Sequence, residues 1–151
     1  MSTVAEICTA LSTTLSGISA IDQASITEYL PPVNTQSAAL IITPFGQEDR
    51  FYFVSALVLA QAHTIICEIW CKHSGNTAAT FTLARDVSTS AVRALMANSD
   101  LGGVVQSVGF ASPSSGFEIT SDIADNFVKV GGVSYLPVRL KVPVLDYADR
   151  S

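Results

Sequence analysis

The stretch Tyr135-Leu136-Pro137-Val138-Arg139-Leu140-Lys141-Val142-Pro143-Val144 decides the fold class. In an extended chain Leu136, Val138, Leu140, Val142 and Val144 face one way, while Tyr135, Pro137, Arg139, Lys141 and Pro143 face the other, the two-residue period of a strand with one buried face. Two prolines on the second face remove ladder donors from one side, which predicts an edge strand, and an exposed edge is a natural rail for a neighbouring subunit. Immediately before it, Gly131 and Gly132 predict a turn. Further upstream, the alternation of Val104, Val108 and Phe110 and the Ser, Pro and Gly turn at 111–116 make the last third antiparallel.

Phe81, Ala84, Val87, Ala91, Ala94 and Leu95 fall on one side of a helix predicted over 78–97, with Arg85, Thr89 and Arg93 opposite. Asn98, Ser99, Asp100, Gly102 and Gly103 stop it. Residues 51–73 read as extended chain, either one long strand or two broken near Gln61 and Ala62. Within them Ile65, Cys67, Ile69 and Cys71 share a face. Pro44 to Arg50 reads as a turn or loop, Ala38 to Thr43 as a strand, and Pro31 and Pro32 as breakers. Thr3 and Glu6 have capping-box spacing, and Val4, Ile7, Cys8, Leu11, Leu15 and Ile18 recur at helical intervals, so a first helix covers about 3–17 and a polar connector follows. Helices segregated from a mainly antiparallel sheet define an α+β class, with two amphipathic helices packed on that sheet.

At 151 residues the chain is expected to be one domain, 1–151, able to bury a core without metals or disulfides. Its residues are 48% hydrophobic and only 14% charged, which is well below the usual quarter and suits a surface buried against partners. A net charge of −5 with 8 basic residues spread along the chain argues against gripping a phosphate backbone, although DNA can slide past such a wall. Cys8, Cys67 and Cys71 form no disulfide framework and fit a reducing cytoplasm. The N-terminus lacks a basic region and carries Glu6, so it reads as a helix rather than a signal peptide. Phe51 to Trp70 approaches the length of a membrane span, but Gln61, His63 and Glu68 within it favour buried strands.

No chemical signature emerges. His63, Cys67, Cys71 and His73 share one parity, yet residues four apart on a strand are separated by roughly 13 Å, too far to converge on one zinc ion. Only Cys71 and His73 form a conceivable pair. A nucleophile elbow is missing, and thiols in an apolar strand are poor nucleophiles. Glu118, Asp122 and Asp125 lack the alternating ligands and glycine of a calcium loop. Gly102 and Gly103 follow a helix rather than opening one, so they do not cradle a phosphate. No cofactor is expected, and the chain reads as non-enzymatic.

The order of these elements, together with Leu101, Gly102 and Gly103 directly after the second helix, resembles the tail terminator and neck proteins of long-tailed bacteriophages over roughly residues 3 to 145. The chain departs from that pattern in its richness in Ala, Ser and Thr. The resemblance implies a structural virion protein, assembled in the host cytoplasm, that forms a ring, commonly a hexamer. Such a ring caps the tail tube, ends its polymerisation, docks the head connector or stopper protein and lets DNA pass the lumen. Asp49, Arg50, Phe51, Tyr52 and Phe53 form an aromatic cluster beside a charged tip, the composition of an interface anchor with a polar rim. With Leu101, Gly102 and Gly103 they are the expected interface residues. A head completion or connector subunit on the portal side is the alternative within this class. A small ligand-binding domain or enzyme using His63, Cys67, Cys71 and His73 is the alternative outside it.

Overall fold

In the computed structural model, which describes residues 3–26, 35–44, 49–55 and 58–149, the elements run α1 (Val4–Leu15), β1 (Ile21–Ile26), β2 (Ala38–Thr43), β3 (Asp49–Phe53), β4 (Val58–Lys72), α2 (Thr77–Ala97), β5 (Ser107–Val108), β6 (Thr120–Ile123), β7 (Val128–Val130) and β8 (Val133–Asp149). The α+β class is correct: the strands form one sheet of eight, antiparallel in every pairing except β1 with β2. Pro31, Pro32 and the 45–48 part of the expected loop lie outside the described residues. No helix among the described residues is long and apolar enough to cross a membrane.

The alternating run lies at the centre of the sheet, not at its edge. All 15 residues of β4 pair with β8, from Val58 opposite Asp149 to Lys72 opposite Tyr135. The prolines have a different meaning from the one expected. In an antiparallel ladder a residue's N–H and C=O point to the same neighbour. The Pro137 carbonyl accepts from the Ala124 amide at 3.0 Å and the Pro143 carbonyl from the Gly109 amide at 2.7 Å, so the missing N–H groups point away from β4. On that side the partner strand is broken into pieces. β7 pairs with residues 133–135, β6 with 138–141 and β5 with 144–145, and each proline falls in a gap between them. No ladder bond is forfeited.

The long extended region divides into β3, ending at Phe53, and β4, beginning at Val58, a break earlier than Gln61 and Ala62. The expected connector after α1 contains β1, whose Asp22, Gln23 and Ser25 hid a strand with only one well-buried residue, Ile21. The capping-box prediction is realised in bonds. Thr3 and Glu6 exchange them, with the Glu6 amide donating to Thr3 Oγ1 at 3.2 Å and the Thr3 amide to Glu6 Oε2 at 3.0 Å. Asn76 opens α2 by accepting from the Ala79 amide at 3.0 Å.

Both helices pack on one face of the sheet. Ile7, Leu11 and Leu15 of α1 and Ala84, Val87, Ala91 and Leu95 of α2 meet Leu40, Ile42, Ile65, Ile69, Leu136 and Leu140 in one core. Burying each large aliphatic side chain here contributes about 1.5–3 kcal/mol. Leu140 is fully buried on the central strand, while Met96 is 58% exposed. Leu140→Ala should therefore cost about 2–5 kcal/mol in chemical denaturation, and Met96→Ala less than about 0.5 kcal/mol.

Candidate functional site

Beyond the helix layer the sheet continues as a hairpin. On β4 the core under the helices begins at Ile65, whereas β3 pairs with residues 59–63 and has no other ladder partner among the described residues. Apolar parity reverses at this point. Ala60, Ala62 and Leu145 form a second small cluster on the opposite face, packed by Tyr52, Phe110 and Tyr147. Gly109 permits this packing: its φ is +93°, and a Cβ there would sit 2.4 Å from the ring of Phe117, which in turn meets Phe110 edge to face.

The face vacated by the core carries polar groups, with Phe51 opposite one of them, Gln61. Asp49 lies opposite His63 and Gln61 opposite Asp146. His63 is 3% exposed, and its Nδ1 contacts Asp49 Oδ1 at 2.8 Å. Since an ionised carboxylate only accepts, this nitrogen carries the proton and donates. The other ring nitrogen, Nε2, is buried with no hydrogen-bond partner among the described residues. Asp146 is 6% exposed and its Oδ1 accepts from the Tyr147 amide at 3.0 Å.

The expected interface residues therefore divide. Phe51 is 60% exposed, the most exposed large apolar side chain described. Asp49 is committed to His63, Arg50 lines a shallow cleft with Thr64 and Ala111, and Tyr52 is half-buried in the second cluster. Phe53 lies in β3, with its side chain outside the description. Asp49 and Arg50 belong to a strand, not to the expected loop. Leu101, Gly102 and Gly103 lie elsewhere. They are three successive residues of positive φ (52°, 71° and 91°) that reverse the chain after α2, with the Gly102 amide donating to Asn98 Oδ1 and Asp100 Oδ1. Leu101 is 4% exposed and anchors this turn in the core, so its signature is that of a structural turn.

Cys67 and Cys71 face the core, while His73 turns out past the end of β4, its Nδ1 accepting from the Gly75 amide and its ring against Phe127. No three His, Cys, Asp or Glu side chains converge as a metal site among the described residues. Desolvation raises all three thiol pKa values, that of Cys71 to about 12, and for Cys67 the neighbouring Cys8 raises it further. What sequence reasoning missed is the Asp49–His63 pair, because the residues lie on different strands and only the register joins them. No protein-family model matches the chain, and no curated protein is significantly similar to it.

Two outcomes follow from this geometry. Asp49→Ala strands a buried imidazole with neither nitrogen bonded and should lower stability by about 1–3 kcal/mol, with faster hydrogen exchange at the β3 amides than in wild type. Thiol labelling at about pH 8 should leave native Cys8, Cys67 and Cys71 unmodified and label all three only after unfolding; rapid native reaction at Cys71 would point to chemistry instead.

Proposed function

We propose that this chain is a non-enzymatic virion subunit of a tailed bacteriophage, which forms a closed ring at the head–tail junction, caps the tail tube, ends its polymerisation and docks the head connector. The observation that supports this reading best is Phe51. It is a large aromatic side chain, 60% exposed, on a hairpin that extends past the helix layer and whose strands are cross-linked by the contact of buried His63 with the exposed Asp49. Aromatic anchors on rigid supports, rimmed by charge, are what protein interfaces concentrate. Here Asp49, on the same face of the hairpin as Phe51, supplies the charge. The low charge content of the chain fits permanent association as well, since interface centres are depleted of charged residues.

In this assignment the subunit binds further copies of itself, commonly six, together with tube protein below and connector above, while DNA crosses the lumen without being held. A portal-side neck subunit would use the same ring, and tube binding separates the two readings. Phe51→Ser should fold with unchanged circular dichroism and thermal midpoint, yet lose capping of tube ends in negative-stain images of mixtures with tail tube protein. A wild-type protein that stays monomeric and ignores tubes would remove the assignment, and a Phe51→Ser variant that caps normally would remove the residue from it.

A further inference from the structure

With both helices on one side, the other face of the sheet carries no helix among the described residues. Across β2, β4, β8 and β6 this open face presents two rows in register, Ile41–Glu68–Arg139–Asp122 and Thr43–Ile66–Lys141–Thr120. Ile41 and Ile66 are buried in these rows, while Arg139 and Lys141 are exposed. Arg50 lies towards one end of the face and Lys72 towards the other. Four of the chain's 8 basic residues thus share a face on which Glu68 and Asp122 also lie, although the chain as a whole has a net charge of −5.

The helix side is its electrostatic opposite around α1. No Lys or Arg precedes Arg50, and none lies between Arg93 and Lys129. The fold joins these two cation-free stretches. Asn98 Nδ2 donates to Thr14 Oγ1 at 3.0 Å, and Val104 lines a shallow, largely apolar groove with Ala5, Glu6, Thr9 and Ala10. Glu6 and Asp100 are exposed on this surface.

Opposite charges on opposite faces of one sheet do not meet within a single copy, but they do meet between copies stacked head to tail. We propose that the open sheet face is the seat for the α1 side of a second copy of this chain, a heterologous contact of the kind that closes into rings. This rests on the ring reading above and assigns the two surfaces that make the ring. A nucleic acid strand is the weaker occupant. It would need aromatic faces to stack on, whereas Tyr135 is 3% exposed and Arg139 is flanked in register by Glu68 and Asp122.

The test is native mass of the full chain at about 0.1 M and about 1 M salt, because screening at the higher value shortens the reach of charge to roughly 3 Å. Wild type should assemble at low salt and loosen at high salt. R139E/K141E reverses the open face at exposed positions and should be monomeric with an unchanged circular dichroism spectrum. E6Q/D100N removes charge from the α1 side while Gln keeps the capping box, and should associate at least about tenfold more weakly. Mixing the two variants should give dimers and nothing larger, since one intact surface of each kind remains. Assembly of R139E/K141E like wild type would overturn this surface assignment and leave the ring reading standing, whereas a wild type that is monomeric in every condition would overturn both. Salt-sensitive binding of a single-stranded oligonucleotide, lost in R139E/K141E without any change of mass, would replace the second copy with nucleic acid.

Discussion

The antiparallel ladder between β4 and β8, 15 residue pairs long, carries the other elements. β2 and β3 attach to successive stretches of the far side of β4, and β7, β6 and β5 attach to successive stretches of the far side of β8. Register in such a ladder is fixed by burial, because a slip of one residue would turn Leu136, Val138, Leu140 and Val142 out of the core together. With register fixed, the positions of the prolines become consequential. Pro137 and Pro143 leave the β4 side untouched and withhold donors on the other, so that side admits three short strands with connections between them instead of one long partner. The open, irregular border of the sheet is thus written into two side chains of its most regular strand.

How far this was legible depended on whether a signal was local. The β8 alternation, the Thr3–Glu6 capping box, the amphipathic α2 and the Gly131–Gly132 turn are each specified within a few residues, and each forms as read. Position in the sheet is not local, since a proline reports only that one side lacks a donor, and the central place of β8 depends on pairing with β4, where Pro137 meets Trp70 and Pro143 meets Thr64, 67 and 79 positions away. β1 was invisible for another reason. It is parallel, lies at the edge and is mostly exposed, so Asp22, Gln23 and Ser25 carry none of the apolar periodicity by which strands are recognised. The same limit governs the site. An exposed Phe51 is suggested by an aromatic cluster beside charges, but the Asp49–His63 contact exists only because β3 and β4 pair in one register, and Leu101 looks like a surface echo until its burial is known.

The reversal of apolar parity along β4 links fold to surface. From Ile65 onward the odd-numbered residues meet the helices; before it, Ala60 and Ala62 bury on the even side against Tyr52, Phe110 and Tyr147. A strand that changes its buried face can outrun the helix layer without exposing an apolar stripe on both sides. What it leaves on the vacated face is Phe51 together with Gln61, His63, Asp49 and Asp146, and a buried polar group in such a place must be bonded to be tolerated. Asp49 performs that service for one nitrogen of His63, and in doing so it fastens β3, whose only ladder partner among the described residues is β4. The exposed aromatic ring therefore stands on a hairpin fixed by a side-chain pair as well as by backbone bonds.

The two surfaces singled out here differ in direction, and that difference gives the proposed assembly its form. Contacts between an open sheet face and an α1 side run along the normal to the sheet, from copy to copy. The hairpin that carries Phe51 projects along the strands, at right angles to those contacts. A subunit with complementary charges on the helix-covered part of its sheet and an aromatic anchor on a hairpin that extends past that part can associate with its own kind and still keep the anchor free for a different partner. Neither surface needs to change shape to serve the other, because the rigid ladder of β4 and β8 fixes the angle between them.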